Sequence, residues 1–114
     1  MKECLGAQGE ITIFRIQTMP EALVPSTEGK TDSGFIISHS ESGHHHILSG
    51  CDNVMERVSS HGMKSLYALL EEPGELFQDA ATPHETHTLP AGIYEFRIAR
   101  EFNPFTEQAR RVAD

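Results

Sequence analysis

Ile93-Tyr94-Glu95-Phe96-Arg97-Ile98-Ala99-Arg100-Glu101-Phe102 is the stretch on which the fold turns. A strand has a side-chain period of two, so Tyr94, Phe96, Ile98 and Phe102 share one face and Glu95, Arg97 and Glu101 share the other. The stretch reads as a half-buried strand, entered through the turn Leu89-Pro90-Ala91-Gly92. Residues 10–17 are also rich in β-branched and aromatic side chains and read as a strand. There Ile11 and Ile13 point one way and Phe14 and Ile16 the other, so both faces need cover. Pro20, Pro25, Gly29 and Gly34 then mark residues 20–34 as loop.

Residues 34–39 and 44–49 read as two short strands joined by the turn Ser40-Glu41-Ser42-Gly43, and residues 50–53 as a further turn before Val54-Met55-Glu56-Arg57-Val58. Residues 63–72 fit two templates. Met63, Leu66, Leu69 and Leu70 suit helical spacing, whereas Leu66, Ala68 and Leu70 set against Tyr67 and Leu69 suit a strand buried on both faces. Pro73-Gly74 ends the run in either case. Residues 106–113 form a polar tail that suits a short C-terminal helix with Thr106 as its N-cap. Several short strands broken by Gly/Pro turns predict an all-β single domain over 1–114, a small β-sandwich or barrel.

The chain has 114 residues, with 9 basic and 17 acidic side chains and a formal charge of −8. A field of that sign repels phosphate backbones and disfavours nucleic-acid binding, although Arg97, Arg100, Arg110 and Arg111 form a local basic group. Cys4 and Cys51 lack CxxC spacing and are expected to be free thiols in a reducing compartment. No N-terminal basic-apolar run resembles a signal peptide, and no apolar run approaches the roughly 20 residues that span a bilayer. The expectation is a cytoplasmic protein without membrane association.

Two histidine clusters carry the functional signal: Gly43-His44-His45-His46 and, some forty residues later, His84-Glu85-Thr86-His87. Only His39 and His61 lie outside them. Neutral imidazole is the commonest metal ligand, and a short segment with two histidines supplies two donors. On a strand His44 and His46 project from the same face while His45 turns away with Ile47. His84 and His87 share one side of a helical turn but opposite sides of a strand. Thr82-Pro83-His84-Glu85 has the form of a capping box, which favours the turn. The metal candidates are therefore His44, His46, His84 and His87, a set suited to Zn, Fe, Ni or Mn. Glu85 is a candidate general base toward a metal-bound water, or else the capping residue that Thr82 implies. Neither cluster has zinc-finger or HExxH spacing. Cys51 has no activating context for a nucleophile, and Glu71, Glu72 and Glu75 read as a solvated face.

In series these motifs resemble a group of small uncharacterised proteins encoded in bacterial, phage and prophage genomes. The shared elements are Gly9-Glu10-Ile11, Ser42-Gly43-His44-His45-His46, His84-Glu85-Thr86-His87, Leu89-Pro90-Ala91-Gly92-Ile93-Tyr94, Arg100-Glu101-Phe102-Asn103-Pro104 and the basic Arg110-Arg111. The resemblance spans about residues 8–114 and implies one compact domain, a strand over 65–71 and a role for His44, His46, His84 and His87. It brings no activity. The chain departs from the pattern at Ser42, where Thr is usual, and in an insertion-like stretch over residues 72–83. A weaker similarity is to the cupins, whose metal sits on an HxH strand, but their glutamate a few residues after HxH is absent here.

The preferred expectation is an all-β domain with a divalent metal in a structural or ligand-binding role, its partner a small ligand or a protein. Its rivals are a metal-free protein-interaction module, such as a phage accessory protein, and a small metal-dependent enzyme. Exposed strand edges make a homodimer the default assembly.

Overall fold

The computed structural model describes residues 2–39, 45–58, 63–78 and 86–98. Every regular element among them is a strand: β1 (Glu3–Gln8), β2 (Ile11–Ile16), β3 (Val24–Pro25), β4 (Lys30–Thr31), β5 (Gly34–Ser38), β6 (His46–Ser49), β7 (Met55–Val58), β8 (Lys64–Leu70), β9 (Gly74–Gln78), β10 (His87–Leu89) and β11 (Gly92–Ile98). They form two antiparallel sheets, ordered β1-β2-β11-β8-β7-β3 and β10-β9-β6-β5-β4. The all-β expectation holds, in its sandwich form. The C-terminal helix expected over 106–113 lies outside the described residues.

The alternation in β11 explains its central place. Phe96 pairs with Ile13 on one side and Leu66 on the other, so one face is apolar across three strands. Tyr94, Phe96, Ile11, Ile13, Leu66, Ala68 and Leu70 meet Ile37, Leu48, Leu76 and Leu89 of the second sheet, and all are buried. The polar positions of β11 face outward. There Glu95 is 3 % exposed, held by Lys2 Nζ at 3.1 Å and Arg97 Nε at 3.0 Å. Both cations also lie over the Phe14 ring. Arg97, the one member of the sequence's basic group among the described residues, is thus engaged in holding the sheet's outer face.

Residues 64–70 are a strand with one face in the core; the other face, expected to be buried as well, is covered at Tyr67 but open at Leu69, which is 48 % exposed. Leu66, Ala68 and Leu70 enter the core, while Tyr67, fully buried on the other face, accepts a hydrogen bond from Arg57 at 3.0 Å. Flanking pairings to β7 and β11 give the backbone its ladder partners on both sides.

The stretch that looked like an insertion contains β9, an interior strand of the second sheet between β6 and β10. Gly74, Leu76 and Gln78 of β9 are buried while Glu75 is exposed, an alternation too short to stand out beside Pro73-Gly74. Its place brings β10, and with it His87, onto the sheet that carries His46.

Candidate metal centre beneath the first hairpin

β1 and β2 are joined by the two-residue turn Gly9-Glu10, flanked by the Gln8–Ile11 pair. Gly9 alone has positive φ there, +58°, the pattern of a type II′ hairpin. Because Gln8 sits opposite Ile11, it points into the sandwich and is 4 % exposed. A Cβ on Gly9 would lie 3.0 Å from Cε1 and Nε2 of His46. The hairpin tip therefore rests directly on that imidazole, which only glycine permits.

Beneath the tip, the second sheet presents a polar row on its core face. Ser38 pairs with His46, and His46 pairs with Gln78, across β5, β6 and β9. Directly opposed residues project to one side, so all three face the hairpin. They are 5 %, 2 % and 9 % exposed. A register shift between Ile36 and Ser38 marks a bulge at Ile37, which lets Ile37 join the apolar core while Ser38 joins this row.

The hydrogen bonds fix the atoms. Gln8 Nε2 donates to the Leu76 carbonyl at 2.9 Å, which turns Gln8 Oε1 toward His46. His46 Nδ1 then donates to that oxygen at 2.8 Å. The ring's other nitrogen, Nε2, faces Glu10 Oε2 at 3.4 Å. Glu10 Oε1 accepts from Ser38 Oγ at 2.6 Å. In neutral imidazole with its proton on Nδ1, Nε2 carries a lone pair. A lone pair facing a carboxylate calls for a cation between or beside them, whether a proton or a metal. Gln78 Oε1 is buried and has no hydrogen-bond partner among the described residues.

His87 opens β10 opposite Leu76, on the same sheet face as His46. Its Nε2 donates to the Ala7 carbonyl at 2.9 Å, and a Cβ on Gly6 would come within 3.4 Å of its ring. One hairpin thus covers both histidines, but at different residues. Among the described residues no three His, Cys, Asp or Glu side chains gather as a metal group. His44, His84 and Glu85 lie outside the described residues.

His45 turns away from His46, as the strand period requires, and its ring meets His39 edge-on at 4.6 Å between centroids. His39 Nε2 is 3.1 Å from the Glu28 carbonyl. Nearby, burial pushes the Glu56 carboxyl up, but the Thr27 N–H and hydroxyl and the Lys64 ammonium outweigh it and hold it below its ordinary value. Cys51, by contrast, is pushed up to about 11 by burial and by neighbouring Asp52, so it is a poor nucleophile and a poor thiolate donor. Both cysteines are free.

Gln8, Glu10, Ser38 and Gln78 were not among the sequence candidates. Three of them are uncharged residues whose types carry no metal-site signal. Glu10 sits in a Gly-Glu dipeptide that reads as a strand entry. The available clue was Gly9 itself, a turn glycine before a strongly apolar alternation.

Residues 7–99 match the family described as Domain of unknown function (DUF8820). No curated protein and no solved structure matches the chain. The matched span holds the Gly9-Glu10 turn, the polar row and every strand from β2 to β11. The chain belongs to the DUF8820 family.

Proposed function

We propose that this domain binds a divalent cation beneath its first hairpin, with His46 Nε2 and the Glu10 carboxylate as ligands, in a structural or ligand-binding role. The observation that carries this reading is the 3.4 Å approach of Nε2 to Glu10 Oε2 while Nδ1 is committed to Gln8. Ligands bonded at about 2.0–2.2 Å to a tetrahedral ion lie about 3.3–3.6 Å from one another. A ligating histidine also characteristically donates its second ring nitrogen to an oxygen acceptor, which fixes the tautomer and the ring plane. Gln8, itself anchored on Leu76, supplies that support, and Ser38 does the same for Glu10.

His44 and His84, candidates read from the sequence, lie outside the described residues. His87 instead donates its Nε2–H to the Ala7 carbonyl and does not gather with His46 and Glu10 as a metal group among the described residues. Imidazole with carboxylate suits Zn, Mn, Fe or Ni.

Elemental mass spectrometry and calorimetric titration with Zn²⁺ and Mn²⁺ on tag-free protein test the reading. Near-stoichiometric binding is expected, with at least a tenfold loss of affinity in Glu10→Gln and in His46→Gln. A protein that takes up neither ion rejects it. The same two oxygens also suit an imidazolium donating from both nitrogens, the metal-free alternative. Histidine ¹⁵N shifts in chelator separate the two, since that alternative requires both His46 nitrogens protonated.

A further inference from the structure

Every member of the polar row except one has its inward atom matched. Ser38 Oγ is bonded to Glu10 and His46 Nδ1 to Gln8. Gln78 Oε1 is the exception: nine-tenths of the residue is buried, and this oxygen has no hydrogen-bond partner among the described residues. Buried acceptors are rarely left so, and each exception calls for an explanation, an ion being one. Its position supplies one. Gln78 is the direct cross-strand partner of His46. Such pairs hold their Cβ atoms about 4.5–5.5 Å apart on one face, within the reach of two side chains that share an ion.

We infer that Gln78 Oε1 is a third protein donor to the cation held by His46 and Glu10, and that it biases the site toward oxygen-seeking ions such as Mn²⁺. This rests on the cation reading above. The donors are then one imidazole nitrogen, one carboxylate oxygen and one amide oxygen. Hard oxygen donors favour Mn²⁺ and Mg²⁺, and imidazole tolerates Mn²⁺, whereas thiophilic ions want thiolate. The two cysteines do not meet that want: Cys4 is exposed on β1, and Cys51 follows β6 with its thiol held protonated.

The test uses MnCl₂ followed by electron paramagnetic resonance and ZnCl₂ followed by calorimetry, on the wild type, Gln78→Leu and Gln78→Glu. Melting in chelator checks that each variant folds. Leucine removes the stranded acceptor and keeps the volume, so Gln78→Leu is expected to fold. It should bind Mn²⁺ at least tenfold more weakly, with a smaller loss for Zn²⁺. Gln78→Glu replaces a neutral donor with a charged one and should bind Mn²⁺ several-fold more tightly than the wild type. It also introduces a like charge near Glu10, so its melting temperature should rise more steeply with added Mn²⁺. Unchanged Mn²⁺ affinity in Gln78→Leu overturns the inference and leaves the His46–Glu10 reading standing. Weaker binding by Gln78→Glu also overturns it, because that result assigns the amide a donating N–H instead. Failure of the wild type to bind either ion overturns both.

Discussion

Replacing Gly9 with alanine should strain the backbone and displace the candidate ligand in one step. Gly9 turns the chain at φ +58°, and its added Cβ would meet the His46 ring at 3.0 Å. Left-handed backbone costs an L-residue about 1–2 kcal/mol. The ring is 2 % exposed and tied to Gln8, so it must give by a few tenths of an ångström inside a closed site. For a domain of this length the backbone cost alone lowers Tm by about 4–10 °C. The chain has no tryptophan, so circular dichroism in chelator is the suitable melt. Gly29→Ala is the control, at φ +102° with Ile36 Cδ1 at an ordinary 3.8 Å. Both variants should melt earlier, but only Gly9→Ala should move the His46 Cε1–H proton resonance and weaken cation uptake. A Gly9→Ala melt within about 1 °C of wild type refutes the backbone argument, since it leaves less than the smallest cost expected for the left-handed turn. An unmoved His46 resonance refutes the contact.

Glu95→Gln should cost about 1 kcal/mol at neutral pH, below the roughly 1.5–3 kcal/mol of a buried charge-assisted hydrogen bond, because Lys2 and Arg97 are part-exposed and screened. Burial pushes the Glu95 carboxyl up, but Lys2, Arg97 and Tyr67 outweigh it and hold it below its ordinary value. Its contribution is therefore present above the unfolded carboxyl value of about 4.3 and is lost as pH falls through the folded value. Urea titrations from pH 7 to 3 should show a shallower acid loss in the variant; equal slopes contradict this. With the Cys51 thiol pushed up to about 11, a disulfide reagent at pH 8 should modify exposed Cys4 first, and peptide mapping that finds Cys51 labelled equally fast rejects the assignment. Phe96→Ala removes a fully buried ring between Ile13 and Leu66 and should cost about 3–5 kcal/mol in denaturant unfolding. A loss under about 1 kcal/mol would show that Phe96 is not the centre of the core.

What could be read from the sequence followed from how completely a local pattern decided its surroundings. The alternation in β11 names its own buried face, and β2 does the same through Ile11 and Ile13. β8 remained ambiguous because its apolar run, which includes the outward-facing Tyr67 and the exposed Leu69, hides the alternation, and only its neighbours β7 and β11 decide it. β9 was missed because its polar-apolar alternation spans five residues beside a Pro-Gly stop. β1 carries Cys4, Leu5, Gly6 and Ala7, too weak a β signal by itself, and it forms as the outer arm of a hairpin. At the site, the period of two correctly separated His45 from His46. Glu10, Gln8 and Gln78 were invisible for a different reason: a polar side chain of this kind acquires its partners only when distant strands meet.

The sequence separations within the site have a kinetic consequence. The bonds that join the hairpin to the second sheet link residues 28, 38, 68 and 80 positions apart. Contacts of such long range close late, after the loops between them have been ordered. On the proposed cation reading, the site would come into being only with the finished sandwich, while earlier states offer scattered side chains. An ion that recognises only the completed arrangement stabilises the native state and leaves the folding transition state untouched. Its signature would be a slower unfolding limb with an unchanged refolding limb, a latch on a structure that has already formed.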